Sequence, residues 1–268
     1  MIHYQNEIMT VFQSILYKTT TTLIETTDAV ILIDPNWLPN EVDEIKSYVV
    51  RVLNNRKLYF IFTHSDFDHI IAAGAFPNAF VIASQAFANN PNKEQAVQQI
   101  EKFDAQYYIS RNYPIDYPAV DLVIEEDGQK LELASLTLVF YLAPGHTEDG
   151  LFTVVEQQRI LLAGDYLSDV EFPFIDSSYD DYVATMEKAE VIFHKHAIHT
   201  LVPGHGTVTA KPTEIAERIK ESKVYLQSLA NPDAELELQL QNKYEFFDEM
   251  KDAHRQNVEM AKMREYIE

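Results

Sequence analysis

Apolar and polar positions alternate in short runs through the first part of the chain. Stretches 10–19 (TVFQSILYKT), 20–27 (TTTLIETT) and 29–35 (AVILIDP) are β-branched and aromatic segments separated by Thr and Asp, which predicts a β-meander. The period then changes. Val42, Ile45, Val49 and Val52 or Leu53 recur at helical spacing over 38–55, so a helix should lie against the sheet. The same reading gives a strand at 57–64 (KLYFIFTH), a short helix at 70–76 (IIAAGAF), a strand at 79–84 (AFVIAS) and a helix at 91–105 begun by Pro91.

Beyond a Tyr- and Pro-rich loop at 113–118, residues 122–133 read as a strand pair turned at Asp127-Gly128. Strands at 136–146, 151–156 and 159–165, a helix at 178–195 and a last apolar strand at 198–206 follow. From Pro212 onward Ile215, Ile219, Ser222, Leu226 and Leu229 repeat at helical spacing. After Asn231-Pro232 one or two more helices carry Leu236, Leu240, Tyr244 and Phe247 on one face. The expected organisation is an α/β body over 1–210 with a helical extension over 211–268.

Composition changes this picture in three ways. The chain has no cysteine, so any metal must be held by imidazole and carboxylate. Its formal charge of -21 would repel a phosphate backbone, which makes nucleic acid a poor partner and a small molecule the expected substrate. No run approaches the roughly 20 apolar residues of a membrane span, and the first residues lack a basic region followed by an apolar one, so a cytoplasmic protein is expected.

The chemistry gathers where apolar strands stop. KLYFIFTH ends at His64, LTLVFYLAPGH at His146, RILLAGD at Asp165 and TLVPGH at His205. Strand ends of one sheet can converge on a single edge and hold ligands rigidly. With Asp66, Asp68 and His69 from the loop THSDFDH, seven ligating groups become available, enough for two divalent ions with three terminal ligands each and one shared carboxylate. Gly145, Gly164, Gly204 and Gly206 suit turns in which backbone passes close to such a centre.

This order of motifs resembles the metallo-β-lactamase superfamily, and within it the glyoxalase II-like hydrolases. The likeness runs from about Thr10 to about Val208: His64-Ser65-Asp66-Phe67-Asp68-His69, then Gly145-His146, Gly164-Asp165 and Gly204-His205. It implies an αββα sandwich with a first ion on His64, Asp66 and His146, a second on Asp68, His69 and His205, and Asp165 bridging them. Zinc, manganese or iron would serve as the two ions. Hydroxide held between them, oriented by Asp68, would attack a small ester, thioester, lactone or amide. Asp34 would play a structural part, or orient a ligand from behind.

Asp66 departs from the family's usual second histidine. As a harder ligand it should move preference from zinc toward manganese or iron. The same H-x-D-x-D-H variant is similar to one in the competence-protein nuclease branch, which gives a phosphodiesterase or nuclease as the alternative. A non-catalytic metal-binding or sensing module is a third. Thr147-Glu148-Asp149-Gly150, in place of the common T-x-G, and the acidic tail argue against glutathione thioesters.

Other signals are discounted. His194, His196 and His199 fall at a predicted helix end, and His3 and His254 lack motif context. Tyr166 is expected to pack rather than to donate to an oxyanion, and Phe172, Pro173 and Phe174 to line a pocket or merely pack their loop. The C-terminal helices would cap the site or form a homo-oligomer.

Overall fold

Ala29–Ile33 is buried along its whole length, so both of its faces need an apolar cover. Val30 and Leu32 point to one cluster and Ile31 and Ile33 to another, as the period of two requires. Leu136–Leu142 behaves alike: Leu138 and Phe140 join the second cluster, and Val139 and Tyr141 a third. In the computed structural model these three cores separate four layers, helices on sheet on sheet on helices. Each buried aliphatic side chain in them contributes roughly 1.5–3 kcal/mol. The structure describes residues 1–264 except Asn36, Ala134, Asn231 and Asp233.

The first sheet contains β1 (Ile2–Gln5), β2 (Met9–Gln13), β3 (Thr20–Glu25), β4 (Ala29–Ile33), β5 (Lys57–Ile61), β6 (Phe80–Ser84) and β7 (Leu122–Ile124), side by side in chain order. Antiparallel pairing from β1 to β4 forms the expected meander; β4 to β7 are parallel and therefore need crossovers. Helices α1 (Pro39–Leu53), α2 (Phe67–Ile70), α3 (Gln85–Ala88) and α4 (Lys93–Gln106) lie in those crossovers. Val42, Ile45 and Val49 of α1 and Ala96 and Ile100 of α4 cover the sheet's outer face.

The second sheet runs β12-β11-β10-β9-β8, with β8 (Gln129–Leu133), β9 (Leu136–Leu142), β10 (Leu151–Val155), β11 (Ile160–Leu162) and β12 (Thr200–Val202). Its outer face is covered by α5 (Tyr179–Lys195) and α6 (Pro212–Ser228), and α7 (Ala234–Lys243) and α8 (Phe247–Arg264) pack into the same core. Leu236, Leu240, Tyr244 and Phe247 are buried there together, as their spacing predicts. Among the described residues no helix is long and apolar enough to cross a membrane.

Several boundaries differ from expectation. β7 and β8 are not a hairpin: β7 pairs with β6 in one sheet and β8 with β9 in the other. Gly128, at φ +84°, does make the turn, but the turn hands the chain across the sandwich. Alternation plus a turn signal looks the same in both cases. β2 stops at Gln13, because Ser14 to Thr19 form a tight loop closed by Ser14 N–H donating to Thr19 O. In place of the helix expected at 70–76 there is a single helical turn at Phe67–Ile70, which carries Asp68 and His69, and then a separate 3-10 turn at Ala73–Ala75. Pro91 stands before Asn92, the residue that caps α4, and so lies outside the helix. The edge strand β1 was not expected at all. Asn231 lies outside the described residues.

Candidate metal centre

The seven residues come together at one edge of the sandwich, and they come from both sheets rather than from one. His64 follows β5; His146, Asp165 and His205 follow β9, β11 and β12. Asp66 occupies the cap position of α2 in an extended conformation, with no cap bond from its side chain, which leaves the carboxylate free for the site. One group comprises His64, Asp66, His146 and Asp165, and another Asp68, His69 and His205.

Asp165 stands between the groups. Its Oδ2 lies 3.5 Å from His64 Nε2, 3.4 Å from His146 Nε2 and 3.3 Å from His205 Nε2, and its Oδ1 lies 3.1 Å from His69 Nε2. Asp66 Oδ2 is 3.7 Å from His64 Nε2 and 3.3 Å from His146 Nε2; Asp68 Oδ2 is 3.6 Å from His69 Nε2 and 3.4 Å from His205 Nε2. Most of these separations are long for hydrogen bonds. Ligands about 2.1 Å from a tetrahedral ion, however, lie about 3.4 Å from one another. His64 Nε2, His146 Nε2 and Asp165 Oδ1 are buried without a hydrogen-bond partner, a costly state that a cation would relieve.

Behind the Nε2 atoms, every Nδ1 is held. His69 Nδ1 donates to Asp34 Oδ2 at 3.0 Å, His146 Nδ1 to Phe174 O at 3.0 Å and His205 Nδ1 to Tyr17 O at 3.0 Å. Thr63 Oγ1 donates to Asp34 Oδ2 at 2.5 Å, so it is free to accept from His64 Nδ1 at 3.0 Å. All four imidazoles therefore keep a proton on Nδ1 and turn the Nε2 lone pair toward the centre, the arrangement a metal ligand needs. Asp34 orients His69 directly and His64 through Thr63. Asp34 itself has φ +48°, held by Thr63 N–H donating to its Oδ1 at 2.9 Å.

The glycines have individual reasons. Gly145 has φ +128°, and a Cβ there would lie 2.4 Å from the Tyr182 backbone. A Cβ on Gly204 would lie 2.2 Å from Asp165 Oδ1. The carboxylate at the middle of the site fits only because position 204 has no side chain.

Without metal, protons take the inward positions. Burial opposes charge on His64, as does His69, yet Asp165 and Asp66 prevail and push its pKa up to about 9. Burial likewise opposes charge on His69, His146 and His205, and Asp165 raises all three well above the ordinary value. Against its own burial, Asp165 is held well below the carboxylate range, chiefly by His205 and His69, and Asp66 is held low by His146 and His64. The sign of the stability effect follows. A histidine whose pKa is raised on folding stabilises fully below its ordinary value of 6.5 and loses that contribution as pH rises through the folded value, about 9 for His64. Metal-free protein should therefore melt at progressively lower temperature between these pH values, and metal-loaded protein, whose inward nitrogens carry no proton, should not. Thermal melts with and without chelator test this; parallel curves would contradict it.

A pocket of about 330 Å³ opens onto the centre, with Trp37, Phe67, Phe103 and Phe174 on its walls and Glu249 and Met250 of α8 at its rim. Of the C-terminal helices, α8 thus borders the site. Phe174 lines the pocket, whereas Phe172 is buried against Tyr225, Tyr244, Phe247 and His254 and docks those helices. Tyr166 is spent on structure: its hydroxyl donates toward the carbonyls of Ala143 and Pro144 and accepts from His146 N–H at 2.9 Å. His196 sits at the end of α5 and bonds Tyr141 Oη, away from the centre. His254 bonds Tyr225 Oη within the helical layer.

Sequence reasoning missed Glu171. It is buried, Oε1 lies 3.5 Å from His205 Nδ1, and it could share a cation with Asp165 and His205. Burial, with Asp165 and Asp68 nearby, outweighs the pull of His205 and lifts its pKa to about 7. A lone acid in the loop after β11 offers no spacing signal that could have found it.

The sequence model of the metallo-β-lactamase superfamily matches residues 16–224, and the chain belongs to that superfamily. None of the curated proteins compared with it matches. Among solved structures, a metallo-β-lactamase family protein from Thermus thermophilus superposes with a TM-score of 0.65 at 18% identity, covering 92% of this chain and 91% of the other. A double mutant of the sec-alkyl sulfatase PisA1, an enzyme from Pseudomonas sp., gives 0.67 at 14% identity, covering 90% of this chain and 43% of the other, so the chain spans less than half of that protein. Rubredoxin oxygen:oxidoreductase from Desulfovibrio gigas gives 0.59 at 13% identity, covering 85% and 62%. At such identities the likeness is one of fold.

Proposed function

We propose that the protein is a hydrolase dependent on two divalent metal ions, acting on a small carboxylic ester, thioester, lactone or amide. The observation that carries this reading is the convergence of four Nε2 atoms and three carboxylates, each imidazole fixed from behind, at the floor of a pocket with aromatic walls. His64, Asp66 and His146 would hold one ion, Asp68, His69 and His205 the other, with Asp165 shared. When bound, such ions polarise a substrate oxygen and make water acidic enough to attack at neutral pH. Asp68, at the pocket floor, receives the proton of the attacking water and keeps it oriented. The aromatic walls bind the acyl group and exclude bulk water.

No Lys or Arg is among the described residues that line this pocket. That favours an uncharged acyl substrate over a phosphate ester and agrees with setting glutathione aside. The phosphodiesterase reading draws its support from Asp66, whose motif resembles a nuclease variant. A panel of carboxylic esters, thioesters, lactones and phosphodiesters, run with manganese, iron and zinc, separates the two. Metal-dependent turnover of the carboxylic substrates is expected. Turnover of phosphodiesters alone would replace this reading with the second.

A further inference from the structure

We infer that Glu171 is a specificity residue of the aromatic pocket, the acceptor for a hydroxyl or N–H group that the substrate carries close to its scissile carbonyl; this deepens the hydrolase reading and rests on it. The residue is only 6% exposed, yet it lines the pocket of about 330 Å³ together with Tyr17, Trp37, Asp68 and His205. Neither of its carboxylate oxygens is closed off from that space. Its backbone is held on both sides: Glu171 N–H donates to Ser168 Oγ at 3.1 Å, and the next residue, Phe172, is locked among the C-terminal helices.

No described residue donates a hydrogen bond to this carboxylate. His205 Nδ1 lies 3.5 Å away, but its proton goes to Tyr17 O at 3.0 Å. Two donors on the adjoining wall are spent as well: Tyr17 Oη donates to Glu249 Oε2 at 3.2 Å, and Trp37 Nε1 to Thr19 Oγ1 at 2.8 Å. Although Glu171 could share a cation with Asp165 and His205, it meets the His205 ring at Nδ1, whereas the inward ligand atom is Nε2. It therefore stands beside the metal centre rather than within it. A carboxyl group buried without a donor is costly, and whether ionised or protonated it keeps an acceptor oxygen. Water meets that need until substrate enters; a substrate that displaces the water without supplying a donor loses affinity. A hydroxyl or N–H supplies one, an aliphatic chain does not, and a carboxylate or phosphate brings a like charge toward Glu171, Asp68 and Asp165. The favoured acyl group is accordingly apolar against Phe67, Phe103 and Phe174 and carries one donor toward Glu171.

The test uses esters on manganese-loaded protein whose acyl group carries an α-hydroxyl, a β-hydroxyl or an α-acetamido group, each beside the O- or N-methylated counterpart that donates nothing. The best of the donors should exceed its methylated counterpart in kcat/KM by about tenfold, the scale of one buried hydrogen bond made or left unmade. Glu171→Leu should bring that ratio close to one. Glu171→Gln, which keeps the shape and an acceptor oxygen, should lower it less and guards against a variant that fails to fold. Metal analysis separates this role from ligation: both variants should hold as much manganese as the native chain, and loss of an ion would make Glu171 a ligand and overturn the inference. Equal turnover within every pair would overturn it too, while leaving the hydrolase reading intact. If no ester is cleaved with any metal, the hydrolase reading fails separately. Calorimetric titration with the same acyl groups as methyl ketones then decides the site: tighter binding of a donor than of its methylated counterpart, lost in Glu171→Leu, supports it, and equal binding overturns it.

Discussion

Asp165→Asn is expected to lower metal content from about two ions per chain to one or fewer and hydrolytic kcat/KM by more than about 100-fold, beyond what loss of an outer-sphere partner costs. Its two oxygens lie 3.1 to 3.5 Å from all four inward nitrogens, so it is the carboxylate that reaches every one of them. The amide is nearly the same size, so the space left by Gly204 still accommodates it, but one ligand atom becomes an NH₂ group and the negative charge is gone. Metal-free protein should suffer as well. In the native chain protonated His64, His69, His146 and His205 are compensated largely by this carboxylate. Removing one partner of a buried charge network costs on the order of 3–5 kcal/mol. Metal analysis, steady-state kinetics and denaturant melts read the three effects. A variant that keeps its stability and its metal would show that Asp165 is not the shared ligand.

Phe172→Ala is expected to cost roughly 3–5 kcal/mol, the usual range for deleting a buried aromatic ring. The ring is 2% exposed, with centroids 5.6 Å from Tyr225, 5.8 Å from Phe247 and 5.9 Å from His254. It therefore ties α6 and α8 to the loop that also carries Glu171 and Phe174. The consequence should reach the site, because Phe174 O holds His146 Nδ1 and Met250 of α8 borders the pocket. A fall in melting temperature on the order of 10 °C is anticipated for a chain of this size, together with a raised KM. A loss below about 1 kcal/mol, the scale of an ordinary surface change, would mean that the C-terminal helices dock through other contacts.

What could be read in the sequence followed from side-chain type and spacing. His64, His146, Asp165 and His205 were visible because each ends an apolar strand, and strand ends are where a sandwich can bring side chains together. The periodicity of Val42, Ile45 and Val49, and of Leu236, Leu240 and Tyr244, is legible because burial of one helix face constrains residue type. That the ligands come from two sheets was hidden, since a strand carries no mark of the sheet it joins. The Asp127-Gly128 turn misled for the same reason. The groups that orient His146 and His205 are the backbone carbonyls of Phe174 and Tyr17, which any residue would supply. Glu171, unpartnered on the pocket wall, depends on tertiary burial, which sequence spacing does not encode.

The fold does not decide the reaction, since an oxidoreductase shares it at a TM-score of 0.59. The donor set carries more weight. Asp66, with its side chain 38% exposed, is the most exposed candidate ligand, and it is where this chain leaves the usual histidine pattern. On the proposed reading, three carboxylates and four imidazoles would hold two divalent ions, with manganese or iron expected ahead of zinc at the site containing Asp66.

A working two-ion centre that includes Asp66 is tested most directly by metal content per chain. The measurement is plasma mass spectrometry on protein purified without chelator or metal-binding tag and then incubated with manganese, iron or zinc in turn. Close to two ions per chain are expected, with manganese or iron retained better than zinc. One ion or none with every metal would contradict the two-ion centre and would turn the chain into a metal-poor binding module on the same fold.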